Sequence, residues 1–357
     1  MLKRIVCILT SLILLVPCTA YGAYSSASSA IVMDADTFEI LFQKNIYEER
    51  SIASTTKILT SYIACESGRL DEKVTVTDEM VNTVGTSLGL RAGNKITLYD
   101  LVVGMLLASG NDAANCVAIY LGETFDGFAQ IMNKTAADIG MKNSYFVTPS
   151  GLDENNHHSS AYDMALLAAK ALQNKTFAEI CAMKSKDVMI GGKKQIIYNH
   201  NKLLSFMDDC VGVKTGFTKK AGRCLVSAAK RDGVMLICVT LNDADDWNEH
   251  MALYNECFGY YSPVHFEDKL SLNIVGAQNN SVNAVYSADL SVLNSGNTVA
   301  EIYYFPIIYA PVNKGDELGF AVIKYKDKEI SRVPILADES IEYYGEQIGR
   351  ASCRERV

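Results

Sequence analysis

The sequence has no basic excess: 33 Lys and Arg stand against 41 Asp and Glu, a formal net charge of -8 over 357 residues. No surplus of cations is left to neutralise phosphates, which argues against a nucleic-acid partner. It also lacks an apolar run of the length an ordinary membrane-spanning helix needs. The candidate run, Ile5 to Val16, is too short; it follows Lys3 and Arg4 and precedes the small residues Ala20-Tyr-Gly22 and Ala23. That is the layout of a secretory signal peptide over residues 1–23, with an uncleaved anchor as the alternative. Leu15-Val-Pro-Cys18 fails as a lipoprotein site because Pro17 stands where a small residue is wanted. The ten cysteines show no spacing that marks a zinc site or identifies a disulfide pair. Several sit among apolar neighbours, such as Cys116 before Val117 and Cys238 between Ile237 and Val239. They read as buried free thiols acting as small hydrophobes, although export would permit bridges. No metal or organic cofactor is implied.

What is present suits a large globular domain with a smaller one: 49% hydrophobic and 21% charged residues, enough for a full core. Residues 29–43 read as a hairpin around the turn-rich Asp34-Ala-Asp-Thr37. Apolar residues at helical spacing predict helices over 54–66, 98–107, 112–121, 125–139 and 160–173. Strands are expected at 211–215, 222–229 and 234–241, then a closing helix over 243–260. Strands at both ends of a helical middle suggest one sheet with helices on its faces plus a helical lobe. Composition changes near Ser262-Pro263. Beyond it, short alternating segments between Asn, Gly and Asp turns suggest a small all-β module over 263–347, without a catalytic constellation. The last ten residues, Ile348 to Val357, resemble the translation of a common sequencing-adapter oligonucleotide and are set aside.

Three short motifs carry chemistry. In Ser54-Thr-Thr-Lys57 the hydroxyl and the amine lie one helical turn apart on one face. A neutral Lys57 would take the Ser54 proton, provided that burial and a second cation, Lys214, depress its pKa. Ser109-Gly-Asn111, in the loop after an apolar helix, offers a hydroxyl to relay a proton and an amide to bond a substrate peptide. Lys214-Thr-Gly216 ends a strand: the lysine supplies positive potential, Thr215 a hydrogen bond to a substrate carboxylate, and Gly216 room for an extended substrate. The backbone N–H groups of Ser54 and Phe217 would form an oxyanion hole. Any one motif alone is more simply a helix start, a turn or a strand end. The His157-His158 pair, beside Asn155 and Asn156, reads as solvated loop, and His200 is a candidate substrate contact.

The ordered triplet, together with Ser87-Leu-Gly-Leu-Arg-Ala-Gly93, Leu106-Leu-Ala-Ser-Gly-Asn-Asp-Ala-Ala114, Phe146-Val-Thr-Pro-Ser-Gly-Leu152 and Asn199-His-Asn-Lys-Leu-Leu204, resembles the low-molecular-weight penicillin-binding D-alanyl-D-alanine carboxypeptidases, serine peptidase family S11. The likeness runs over about residues 24–262, and Ala310 to Gly319 resembles the domain that follows in many members. It implies an α/β (α+β) fold of the serine β-lactamase and transpeptidase type, with an antiparallel sheet. It implies that Ser54, Lys57 and Ser109 are catalytic, that Asn111, Lys214, Thr215 and Gly216 bind substrate, and that Ser54 and Phe217 make the oxyanion hole. The expected partners are peptidoglycan stem peptides ending in D-Ala-D-Ala and β-lactams acylating Ser54. An extracytoplasmic location is expected, with a membrane surface reached through a C-terminal amphipathic helix that is not visible in the sequence.

A class A β-lactamase would need a Glu-x-x-Leu-Asn loop to activate the deacylating water, and none follows Ser109. A D,D-endopeptidase that cuts cross-links shares every motif. A non-catalytic wall-binding module would have been suggested by loss of Ser54, Lys57 or Lys214, and all three are present.

Overall fold

The structure, a computed structural model, describes residues 3–7 as backbone and residues 25–293 and 298–344 in full. The rest of the expected leader, its cleavage site included, and the adapter-like segment lie outside the described residues. The chain divides into two compact units, one within Ala20–Gly259 and one from Tyr260 onward that also takes in the N-terminal segment.

The first unit is built on a five-stranded antiparallel sheet. Its strands run in the order Ile40–Lys44, Ser29–Asp34, Val234–Leu241, Gly222–Arg231 and Cys210–Thr218. The opening hairpin forms where expected because the Asp34 carboxylate accepts the N–H groups of Asp36 and Thr37, closing the turn. Strand Ser29–Asp34 is buried at every residue, so both faces of the sheet are covered. Along Val234–Leu241 the alternation of side chains decides which layer each meets. Ile237, Val239 and Leu241 join the main core, while Thr240 turns to the other face and bonds His250 of the closing helix Asp246–Phe258.

Helix Leu98–Ala108 is apolar on nearly all sides and accordingly central, with Leu98, Leu101, Val102, Val103 and Met105 through Leu107 buried. Thr97 caps its start by accepting the Asp100 N–H. Helix Lys57–Glu66 packs against it and against Ala161–Leu172, whose Ser160 cap accepts the Asp163 N–H. The Asp163 carboxylate goes to Asn143 N–H and the Ser144 hydroxyl, so only half of a capping box forms. The closing helix starts at Asp246, three residues later than its composition suggested. The helix Lys175–Cys181 and the hairpin Ser185–Ile190 with Lys193–Tyr198 had no clear sequence signal. The cysteines at 65, 116, 181, 210, 224, 238 and 257 are buried free thiols, and burial pushes the Cys65 and Cys116 thiols up to about 12.

The second unit is all-β. A seven-stranded sheet runs in the order Lys3–Cys7, Thr298–Tyr304, Glu317–Tyr325, Lys328–Ala337, Ser281–Leu293, Tyr261–Val275 and Ile308–Tyr309. Alternate residues of Ser281–Leu293, Val282, Ala284 and Tyr286, turn into its own small core with Leu272, Ile274, Ile302, Leu318 and Ile335.

Candidate active site

Ser54 lies in a 3-10 turn, Ala53–Thr56, that runs directly into helix Lys57–Glu66. The Lys57 amine is fully buried and meets three oxygens: Ser54 Oγ at 2.9 Å, Asn111 Oδ1 at 2.7 Å and the Ser150 carbonyl at 2.7 Å. A neutral amine carries two N–H bonds and one lone pair. With the two N–H groups directed at Asn111 and Ser150, neither of which can donate back from those atoms, the lone pair is left for the Ser54 hydroxyl proton. Electrostatics favour that neutral form. Burial holds the Lys57 amine well below the usual lysine range, the Lys214 charge lowers it further, and Asp112 opposes them. Lys214 is itself 1% exposed, donates to the Thr215 carbonyl at 2.9 Å, and is lowered to about 7 by burial.

Ser109 caps the end of helix Leu98–Ala108 in a left-handed conformation, φ 63°, which turns the chain into the cleft. Asn111 is not in the loop, as its turn-rich surroundings suggested, but opens the next helix, Asn111–Gly122. Its amide is used inside the site: Oδ1 on Lys57, Nδ2 on the Val84 carbonyl at 2.6 Å. Asp112 beside it is 1% exposed and accepts from Ser87 Oγ, Leu88 N, Leu90 N and Ala113 N at 2.6–3.0 Å. Together these bonds tie residues 84–90 to the Ser109-Gly-Asn111 turn.

The Lys214-Thr-Gly216 strand forms the sheet edge, and Gly216 is where it touches the Ser54 turn. A Cβ there would sit 3.0 Å from the Ile52 carbonyl oxygen and 3.1 Å from Ser54 N and Thr55 N. The absent side chain thus first serves the fit of strand against turn, beyond any room it leaves for a substrate. The Phe217 side chain is 66% exposed beside the same cleft.

The cleft, of about 610 Å³, is lined by Ser54, Thr86, Ser109, Asn199, His200, Lys202, Thr215, Gly216, Phe217, Arg223, Asp246 and Trp247. Arg223 was not singled out in the sequence. It comes from the neighbouring strand opposite Phe217 and is held by Asp246, with Nε at 3.2 Å and Nη2 at 2.5 Å from its carboxylate oxygens. Its guanidinium also stands 5.4 Å from the ring centre of Trp247. A second cavity of about 640 Å³ lies at the far end of the Ser54 helix, between Tyr62, Ile63, Leu121 and Ile131, and no motif residue lines it. Among the described residues no His, Cys, Asp and Glu side chains gather to hold a metal ion.

The segment 147–157, part of which carries the family resemblance, also reaches the site, through contacts its residue types do not signal. Besides the Ser150 carbonyl on Lys57, its Pro149 carbonyl accepts the Thr60 hydroxyl at 2.6 Å. Gly151, φ 80°, lies so close to the Ser54 turn that a Cβ would fall 1.8 Å from the Ala53 oxygen and 2.6 Å from Thr56 Oγ1. Gly151→Ala is therefore expected to destabilise the protein by about 3 kcal/mol, from a clash with backbone and from a φ that alanine disfavours. Denaturant unfolding of the variant measures it. His157, expected in solvated loop, is instead 5% exposed and bonded to Thr56, because the loop folds its ring inward against Phe146.

A family model described as D-alanyl-D-alanine carboxypeptidase matches residues 18–245. Among curated proteins, the chain is 30% identical over 351 residues to D-alanyl-D-alanine carboxypeptidase DacC of Escherichia coli (strain K12), covering 89% of this chain and 85% of that protein. It is 28% identical over 337 residues to DacF of Bacillus subtilis (strain 168), covering 89% and 87%. Among solved structures, the carboxypeptidase DacD from Francisella tularensis matches with TM-score 0.62 and 26% identity over 94% of this chain and 97% of that one. A D-alanyl-D-alanine carboxypeptidase from Mycobacterium tuberculosis matches with TM-score 0.65 and 28% identity over 68% and 95%.

Proposed function

The chain belongs to the D-alanyl-D-alanine carboxypeptidase family of serine peptidases, peptidase S11, and on that footing we propose that it releases the terminal D-alanine from peptidoglycan stem peptides through an acyl-enzyme on Ser54. The observation that carries this reading is the Lys57 amine, fully buried and 2.9 Å from Ser54 Oγ, with Asn111 Oδ1 and the Ser150 carbonyl at 2.7 Å placed to take the two N–H groups of its neutral form. Lys57 takes the hydroxyl proton as Ser54 Oγ attacks the carbonyl between the two D-alanines. The negative charge that develops on that carbonyl oxygen is met by the N–H groups of Ser54 and Phe217. Lys57 returns the proton to the departing amine by way of the Ser109 hydroxyl, and water then frees the serine by the reverse path. A β-lactam acylates the same atom, but its leaving group stays tethered, so the ester persists.

The substrate ends in a carboxylate, and the cleft supports that end with Thr215, the Lys214 charge and the exposed edge of Arg223. Arg223→Ala is expected to raise KM about tenfold or more, the worth of a charge-assisted bond, with kcat nearly unchanged. A peptide whose terminal carboxylate is amidated should show no such difference between parent and variant. The signal-peptide-like layout of residues 1–23 supports action outside the cytoplasm, with residues 24–262 as the catalytic domain and 263–347 as an appended β domain. Among the described residues no helix is long and apolar enough to cross a membrane.

D-alanine release from a peptide ending in D-Ala-D-Ala, measured with protein spanning residues 24–347, tests the reading. Release supports it. A folded protein that releases none, yet cleaves cross-linked muropeptides, would shift the assignment to an endopeptidase.

A further inference from the structure

Ala53, the residue before the nucleophile, has φ 49°, a left-handed conformation that a non-glycine residue holds only when its surroundings impose it. Its carbonyl accepts the Thr56 hydroxyl at 2.8 Å. Thr56 Oγ1 in turn lies 2.9 Å from His157 Nε2. At the other side of the ring the Val147 N–H reaches His157 Nδ1 at 3.0 Å, and the Thr148 N–H approaches it at 3.3 Å. A backbone N–H only donates, so Nδ1 holds a lone pair and the ring proton of the neutral imidazole sits on Nε2. That proton goes to Thr56 Oγ1, whose single hydroxyl proton is already spent on Ala53. The bonds therefore run in one direction, from Val147 through His157 and Thr56 to the carbonyl that sets the Ser54 backbone. Every side chain in the chain of bonds is buried: Thr56 is fully so and His157 is 5% exposed. Burial, with the nearby charges of His158 and Lys220, lowers His157 to about 4, so the ring stays neutral under ordinary conditions.

We propose that His157 is a positioning residue for the nucleophile, acting through the Thr56 hydroxyl on Ala53 to hold Ser54 Oγ against Lys57 and the carbonyl it attacks. The proposal rests on Ser54 being the acylated residue. His157 touches neither substrate nor Lys57. Its effect falls on the alignment of Ser54, so it belongs to the acylation rate and not to substrate affinity.

The test is a double-mutant cycle on acylation by a chromogenic β-lactam and on peptide kcat and KM, with thermal unfolding of each variant alongside. His157→Phe fills the space without a donor, Thr56→Val removes the hydroxyl, and His157→Gln keeps both an acceptor and a donor. Each of the first two is expected to slow acylation about 30-fold, the scale of a misplaced reacting atom, with KM within about threefold. The double variant should be no slower than either, and His157→Gln should recover most of the rate. Multiplying losses in the double variant, a loss confined to KM, or parental acylation by folded His157→Phe would each overturn the proposal. If His157→Phe does not fold, Thr56→Val decides it: acylation at the parental rate overturns it. Adduct formation by the parent and its absence in Ser54→Ala, run beside these, report separately on the nucleophile itself.

Discussion

Ser54→Ala should release no measurable D-alanine and form no covalent adduct with a β-lactam, while its unfolding midpoint stays close to that of the parent. The expected loss is about 10⁴-fold or more in kcat/KM, about 5.5 kcal/mol of transition-state stabilisation. Removing an attacking atom deletes the covalent route outright, and what remains is binding and the two N–H groups of the oxyanion hole. Stability is spared because Ser54 Oγ is only one of three oxygens around the Lys57 amine. Asn111 Oδ1 and the Ser150 carbonyl remain at 2.7 Å, so the buried base keeps its partners. Intact-protein mass spectrometry after exposure to a β-lactam reads the adduct directly. An adduct of full stoichiometry on Ser54→Ala would sink the assignment and direct attention to Ser109, which lines the same cleft.

The second large effect concerns the two lysines. Lys57→Ala is expected to lower kcat/KM by about 10³-fold or more, because Lys57 is the amine held against Ser54 Oγ and the proposed acceptor of its proton. In the proposed mechanism Lys57 works as the free amine, so the rate should climb with pH as it deprotonates, and its depressed pKa puts this climb well below the usual lysine range. In the same mechanism Lys214 works as the cation, and its value of about 7 should set a decline as pH rises past that point. The profile of kcat/KM should therefore be bell-shaped. Removing the Lys214 charge in Lys214→Ala removes a cation that disfavours protonated Lys57; the Lys57 pKa rises, and the ascending limb moves to higher pH. Lys214→Arg, whose guanidinium stays charged throughout, should lose the descending limb. An ascending limb that stays in place in Lys214→Ala would show that burial alone tunes Lys57.

Several features were legible because they are local. Ser54 and Lys57 are three residues apart, and any helical turn puts such a pair on one face. The apolar run of 98–107 announced a buried helix, and the alternating segments beyond Pro263 announced strands. The two regions that the residue pattern misassigned are instructive. His157 looked solvated because its neighbours are polar, and Asn155 and Asn156 are exposed as expected, yet the His157 ring is buried by Phe146 and the Thr56 turn, more than a hundred positions away in the second case. Asn111 looked like a loop residue because Ser and Gly precede it, but a left-handed Ser109 lets the next helix begin at once.

By itself the sequence determined which groups are available and the order of the motifs, since side-chain chemistry and spacing within a helical turn need no tertiary contact. It did not determine that Ser150 would offer its carbonyl to Lys57, because a carbonyl has no sequence signature and lies 93 positions away. Nor did it pair Arg223 with Asp246 at the cleft, or bring residues 84–90 onto Asp112. The depressed pKa of Lys57 belongs wholly to the tertiary structure. It arises from taking the amine out of water and setting a second cation nearby, and only the folded chain does both.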